Sequence, residues 1–124
     1  MRRLLVLTSL VAAACASSGT HAGAQAGVSG RVLSAPQCPV ERAGHRCPPR
    51  PVAGAAVVAL RSGDTVAATH TDAAGRFELR LAVGRYVIRA TNAGGYASTA
   101  QRAVRVRLGV PMQVITLTVD SGIR

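Results

Sequence analysis

The chain has 124 residues, 48% of them hydrophobic, and its 15 basic residues, all arginine, face five acidic ones for a formal net charge of +10. This length predicts one small domain with a marginal core, and the charge favours anionic partners or, more simply, a solubilising outer face. Nucleic acid is not an expected partner, because the arginines are spread along the chain and only three aromatic side chains are available for base stacking.

The N-terminal segment has the three-part layout of an export signal. Arg2 and Arg3 precede an apolar run at residues 4–14, and small and polar residues follow it. The run has about eleven residues, whereas a membrane-spanning helix needs roughly twenty. We therefore predict a signal peptide at residues 1–26 and an exported protein that is secreted, periplasmic or located at the cell surface.

Two processing routes remain open for this segment. Residues 24–26, AQA, fit the small-x-small rule of an ordinary signal peptidase. Residues 11–15, VAAAC, resemble a bacterial lipobox, which would make residues 1–14 a lipoprotein signal and Cys15 the lipidated residue. Ordinary cleavage is favoured, because a lipobox usually has a large apolar residue where this chain has Ala12. Membrane association is expected only if Cys15 is lipidated.

Seven segments of the remaining chain, residues 27–124, are predicted to be strands. Most of them alternate apolar and polar residues with a period of two, which is typical of half-buried strands, and residues 53–61 are a continuous small-apolar run consistent with a buried strand. Their spacing, with turn signals between them, predicts an all-β fold, a seven-stranded antiparallel Greek-key β-sandwich. In the sixth strand, Val104, Val106 and Leu108 are predicted to face the core. In chain order the predicted strands are VSGRV (28–32), AGAAVVALR (53–61), DTVAATHT (64–71), RFELRLA (76–82), RYVIRA (85–90), RAVRVRL (102–108) and VITLTV (114–119).

Only Val83 and Gly84 separate the predicted strands at 76–82 and 85–90, which predicts a tight hairpin. The segment TDAAGRF, residues 71–77, predicts a short hairpin loop. The carboxylate of Asp72 can accept hydrogen bonds from backbone amides just beyond it, and Gly75 can adopt the positive φ that closes the turn. A turn is favoured over acid/base chemistry for Asp72, since no second carboxylate lies nearby in sequence. No serine lies in a nucleophile elbow and no glycine-rich loop opens a helix, so neither catalytic residues nor a cofactor are predicted.

A cysteine- and proline-rich insertion occupies residues 36–51 between the first two predicted strands. Cys15 is either removed or lipidated, so export leaves Cys38 and Cys47 as an even pair, which favours a disulfide in an oxidising compartment. The alternative is a metal site that combines both cysteines with His45 and with Glu41 or His70. Zinc sites usually space their cysteines two to four residues apart, whereas eight residues separate these two, so a disulfide is predicted and no metal.

The whole exported part, from Gly27 to about Val119, resembles the carboxypeptidase regulatory-like domain family, a transthyretin-like β-sandwich. The resemblance implies a small accessory module without catalytic residues, found attached to metallocarboxypeptidases, outer-membrane receptors and surface proteins, and also alone after a signal peptide. The insertion at 36–51 departs from the plain family pattern. The matching pieces are GVSGRV (27–32), PVAGAAVVAL (51–60), TDAAGRFELRL (71–81), GRYVIRA (84–90) and Gly95-Tyr96 followed by alternating valines.

These observations lead to three hypotheses on function, the least favoured of which is a small metal-dependent hydrolase or metal carrier that uses the cysteine-rich loop. The first is a non-catalytic, monomeric exported module that binds an envelope protein or a polysaccharide in the bacterial cell envelope or the extracellular space. The alternative is a carbohydrate-binding module, for which the only candidate aromatic contact is Tyr96 in NAGGYAS.

Overall fold

The fold is described from a computed structural model, which describes residues 26–40, 44, 46–109 and 112–124. The predicted signal peptide up to residue 25, with Cys15, lies outside the described residues, as do Glu41 and His45 of the insertion. Within the described ranges, no helix has the length and apolar character needed to cross a membrane.

The described chain is all-β, which confirms the predicted fold class. It contains eight strands where the sequence predicted seven, because Arg50 and Pro51 pair with Ser34 and Leu33 as a short additional strand. Two residues are too few to show alternation, so this strand left no sequence signal. The strands are β1 (Gly27–Ala35), β2 (Arg50–Pro51), β3 (Ala56–Arg61), β4 (Asp64–His70), β5 (Arg76–Arg80), β6 (Gly84–Thr91), β7 (Thr99–Val106) and β8 (Gln113–Asp120).

The strands form two sheets packed as a sandwich. In the first sheet, β1 lies in the centre with β8 on one side and β5 and β2 on the other. The second sheet has the order β4-β3-β6-β7, and all its pairs are antiparallel. One pair departs from the antiparallel prediction, since β1 and β8 run parallel from Val28 opposite Gln113 to Ala35 opposite Asp120.

Alternate residues of the long strands point between the sheets and form one core. The most completely buried large side chains are Ile88, Val28, Val32, Val57 and Val119. Val104 and Val106 are buried as predicted, but the prediction for Leu108 is wrong, because its side chain is 77% exposed. The alternation ends with β7 at Val106, and the chain turns away from the sheet before Leu108 can enter the core.

The two ends of the sandwich carry different loops. At the end that we call the N-terminal end, the chain enters β1, and the Leu81 N–H donates a hydrogen bond of 3.1 Å to the carbonyl of Ala26. The β3–β4 turn, the β5–β6 turn and the β7–β8 connection lie at this same end, because β6 starts opposite the last residue of β7 and β1 starts opposite the last residue of β5. The opposite end carries the insertion, the 71–75 turn, the 92–98 loop and the C-terminus.

Candidate interaction surfaces

The insertion between β1 and β2 is closed by a disulfide between Cys38 and Cys47, whose Cα atoms are 5.9 Å apart. The first residues of the insertion are held by the C-terminal segment. The backbone N–H of Ser121 donates a hydrogen bond of 3.0 Å to the carbonyl of Ala35, and the Ser121 hydroxyl donates to the carbonyl of Pro36. The disulfide therefore cross-links a loop whose first residues are already hydrogen-bonded to the C-terminal segment.

The metal site considered as the alternative needs both sulfurs as thiolates, and the disulfide occupies both of them. His70, another candidate ligand, is exposed near the end of β4. Within the part of the chain that the structure describes, no three histidine, cysteine, aspartate or glutamate side chains come together as a metal-binding group.

Removing the disulfide is expected to destabilise the domain. In the chain-entropy model, a closed loop of about ten residues stabilises the folded state by about 2.5 to 3 kcal/mol. We expect the Cys38→Ser/Cys47→Ser variant to lose that amount in urea unfolding, and wild-type protein to lose the same amount when reduced. Reductant should leave the double variant unchanged. An identical unfolding midpoint for reduced and oxidised wild-type protein would contradict the prediction that the disulfide stabilises the fold.

The turn at residues 72–75 connects β4 to β5. These strands lie in different sheets, as do β5 and β6, so the hairpins predicted at both connections are wrong. The turn is built around the side chain of Asp72. Its Oδ1 accepts hydrogen bonds of 2.9 Å from the backbone N–H groups of Ala74 and Arg76. Gly75 has a φ of +72°, and a Cβ there would lie 2.8 Å from the carbonyl oxygen of Val32 in β1. The Asp72 carboxylate thus satisfies backbone amides of its own turn, and the turn packs directly on the central strand of the first sheet.

Thr71, next to this turn, is a buried polar residue whose role the sequence analysis missed. Its Oγ1 accepts a hydrogen bond of 2.8 Å from the N–H of Ala55 and donates to the carbonyl of Val52. Its own N–H donates to the carbonyl of Ala55 at 3.0 Å. The sequence did contain one indication of this role. Thr71 follows Ala67 at an even spacing, so the two side chains are expected on the same face, and Ala67 of β4 packs against the core. Thr71 therefore fastens the segment before β3 to the end of β4.

Tyr96, the candidate sugar contact, lies in the loop between β6 and β7 and is 49% exposed. One side of its ring packs on the C-terminal segment, where a Cβ at Gly122 would lie 2.6 Å from the ring atom Cγ. The guanidinium of Arg124 is 5.9 Å from the ring centroid and forms an ion pair of 3.0 Å with Asp120. The ring thus covers the C-terminus, with part of its surface open to solvent.

The contact with Arg124 changes the pKa of Asp120, and this change can be measured. Hydrogen bonds from the Arg124 side chain and from the Gly122 backbone lower the pKa of Asp120 below its ordinary value of 3.8. A lowered folded-state pKa contributes stability that is fully present above the unfolded-state pKa and is lost as the pH falls through the folded-state pKa. That contribution should therefore begin to fall near the unfolded-state pKa of about 4 and be lost only below the lowered folded-state pKa.

We expect the carboxyl carbon of Asp120 to titrate by NMR below its ordinary range, and the Arg124→Gln variant to move its pKa back upward. An unchanged Asp120 titration in the variant would show that the ion pair does not form in solution.

A polar groove of about 660 Å³ crosses the outer face of β8, β1 and β5 next to the end of β4. It combines hydroxyl groups with side chains of both charges, and Tyr96 does not line it. Its polar and charged lining comprises Ser29, Arg31, Thr69, His70, Asp72, Arg76, Glu78 and Thr116.

A second groove, of about 420 Å³, lies on the outer face of the other sheet. Leu60, Val87 and Ala103 form its apolar part, and Arg85 and Arg105 stand directly opposite each other on β6 and β7 beside it. Among the described residues, only the pairs Arg80–Glu78 and Arg124–Asp120 bring an arginine within 4 Å of a carboxylate. This face therefore presents arginines that have no described carboxylate within 4 Å.

The fold agrees with the comparison against known families. The profile of the carboxypeptidase regulatory-like domain matches residues 49–120, which is more than half of the chain. The match begins just before β2, so β1 and most of the insertion lie outside it, although β1 is the central strand of the first sheet. No curated protein matches the chain. The two-sheet architecture and the family match together show that the chain belongs to the carboxypeptidase regulatory-like domain family, whose domains are non-catalytic β-sandwiches.

Proposed function

We propose that this protein is an exported accessory module of the bacterial cell envelope or the extracellular space, which binds a partner and does not catalyse a reaction. The disulfide between Cys38 and Cys47 carries this proposal. Structural disulfides persist in oxidising compartments and are rare in the cytosol, which agrees with the export layout of residues 1–26.

The binding part of the proposal is supported by the family and by the surface. Domains of this family act as accessory modules, and this one adds outer faces with uncompensated arginines. Unpaired surface charge of one sign attracts partners of the opposite sign and accelerates their association. The expected partner is therefore an anionic component of the envelope.

Export and the disulfide can be tested together by intact-mass spectrometry of the protein isolated from its native cells, with and without reduction. We expect it in the envelope or the medium, beginning at Gly27 or at a lipidated Cys15, with a gain of two hydrogens on reduction. A chain recovered from the cytoplasm that still begins at Met1 and carries free thiols would contradict the proposal.

Binding can be tested by crosslinking in intact cells followed by purification of the adduct. We expect a reproducible envelope component in the adduct, and its capture should decrease at high salt because the contact is electrostatic. Absence of any adduct across growth conditions would count against an interaction module.

The polar groove on the outer face of β8, β1 and β5 favours carbohydrate as a second candidate partner, since hydroxyl and charged side chains hydrogen-bond sugars. Wild-type protein, Arg31→Gln and Tyr96→Ala can be compared on a glycan array. Loss of binding in Arg31→Gln would indicate the groove, and loss in Tyr96→Ala would indicate the exposed side of that ring. An array without signal for wild-type protein would remove this candidate.

A further inference from the structure

The N-terminal end of the sandwich presents two large apolar side chains to solvent. Leu108 in the β7–β8 connection is 77% exposed, and Val83 in the β5–β6 turn is 46% exposed. Although they are 25 positions apart in sequence, both line one shallow groove of about 330 Å³. Exposed apolar side chains that converge at loop tips differ from singly scattered ones, because together they form a surface that a partner can cover.

Three arginines line the same groove, namely Arg85, Arg105 and Arg107, which we call the arginine cluster. Arg85 and Arg105 are direct cross-strand neighbours, an arrangement in which like charges destabilise the pairing of the strands. Within the described part of the chain, no carboxylate lies within 4 Å of any of the three. An external anion would offset the repulsion that the fold itself leaves uncompensated.

The wider charge of this end has the same sign. Arg61, at the end of β3, lies over the ring of Tyr86 at 5.7 Å from its centroid, next to the start of β6. One described carboxylate, Asp64, is paired in register with Arg61 at the β3–β4 turn. The arginine cluster therefore remains positively charged. It lies between the second groove, on the outer face of the second sheet, and the exposed side chains of Val83 and Leu108.

Several kinds of anionic surface could bind such a site. The location of the start of β1 at this end of the sandwich favours a membrane among them. The carbonyl of Ala26 accepts a hydrogen bond from the N–H of Leu81, two residues before Val83. Ala26 therefore lies at this end, and the apolar run at 4–14 and Cys15 precede it in the sequence. A membrane to which that segment is directed or tethered would face Val83, Leu108 and the arginine cluster.

We propose that the N-terminal end of the sandwich docks on an anionic lipid surface. Val83 and Leu108 enter the boundary between headgroups and acyl chains, where apolar side chains of peripheral proteins are buried, and the arginine cluster binds headgroup phosphates, which guanidinium groups contact bidentately. The proposal rests on the proposed function, whose partner it names. Every contact belongs to the folded domain, and the lipoprotein route, with a lipidated Cys15, would hold this end of the sandwich at a membrane.

A tryptophan reporter can show which end of the molecule contacts lipid, since the chain contains no tryptophan. Leu108→Trp places the reporter at the proposed contact, and Val40→Trp places it at a 72% exposed position in the insertion at the opposite end. Both variants are purified after processing in the producing cell, so each carries the natural N-terminus of the processed protein. With vesicles containing phosphatidylglycerol, we expect a blue shift of the emission for Leu108→Trp and none for Val40→Trp, and no shift for either with neutral phosphatidylcholine vesicles.

The charge requirement is tested in the Leu108→Trp background by changing the whole arginine cluster to glutamine. A basic residue near an anionic bilayer strengthens binding by about fivefold, so the triple variant should bind about a hundredfold more weakly. A matched triple variant makes the same change of charge elsewhere and should keep the blue shift. The matched variant carries Arg46→Gln, Arg50→Gln and Arg89→Gln, all at exposed positions.

Three results would overturn the lipid proposal: no shift for Leu108→Trp, equal shifts for both reporters, or equal losses of affinity in the two triple variants. Binding to an acidic polysaccharide but not to vesicles would also overturn it. These failures differ from a failure of the proposed function, which would be a cytoplasmic, unprocessed chain in the mass measurement. A processed envelope protein that ignores anionic vesicles refutes the lipid contact alone.

Discussion

Replacing Gly30 with alanine is expected to destabilise the protein by about 4 kcal/mol or more, enough to unfold a marginally stable domain. A Cβ at this position would overlap the carbonyl oxygen of Ile115, which pairs with Gly30 across the parallel β1–β8 contact. It would also lie 3.2 Å from the ring atom Cε1 of Phe77 on the other neighbouring strand. The overlap is with backbone, so a change of side-chain rotamer cannot relieve it.

The measurement is thermal unfolding followed by circular dichroism. For a domain of this size, 4 kcal/mol corresponds to a fall in Tm of at least about 16 °C. Ser29→Ala is the matched control, because it changes the neighbouring, half-buried residue of the same strand and should alter stability by less than about 1 kcal/mol. A Gly30→Ala variant as stable as wild-type protein would show that β1 and β8 are not in close backbone contact.

Thr71→Val is expected to cost about 3 kcal/mol, because it conserves shape and removes the hydroxyl. The N–H of Ala55 loses the acceptor that it now has at 2.8 Å, and the carbonyl of Val52 loses a donor. Each buried group left without a partner costs about 1 to 3 kcal/mol. The loss should appear in urea unfolding as a lower midpoint with an unchanged slope, since the surface exposed on unfolding stays the same.

Two variants make this result specific to the buried hydroxyl group. Thr71→Ser keeps the hydroxyl and should regain most of the lost stability. Thr116→Val makes the same chemical change at an exposed position of β8 and should be nearly neutral. If Thr71→Val and Thr116→Val have equal effects, the two hydrogen bonds of Thr71 do not contribute to the stability of the fold.

The two ends of the sandwich differ in chemistry, and this difference organises the proposals on function. The disulfide, Thr71 and the Asp120–Arg124 pair all lie towards the end with the insertion, where they fasten loops and the C-terminus to the strands. The N-terminal end has short turns and carries the arginine cluster with Val83 and Leu108. In our proposals the first end stabilises the domain and the second contacts its partner.

Much of the architecture was predictable because it depends on local pattern. Alternation in RFELRLA and RYVIRA identified β5 and β6 and their buried faces, including Phe77 and Tyr86. The family resemblance, confirmed over residues 49–120, rested on the order of such segments. Inward-facing residues of a strand follow each other at a spacing of two wherever one face is buried, so the sequence alone is sufficient to recognise them.

The sequence by itself thus determined the all-β class, most strands and the family, whereas the tertiary structure decided which strands are neighbours and which loops meet. Strand alternation contains no information about direction or partner, so the parallel β1–β8 pair could not be predicted. The same limit placed Leu108 wrongly in the core and hid the buried hydroxyl group of Thr71. Arg85 faces Arg105, and Val83 and Leu108 line one groove, only because strand pairing brings distant segments together. Local pattern specifies which face of a strand is buried, but contacts between distant segments arise only when the whole chain folds.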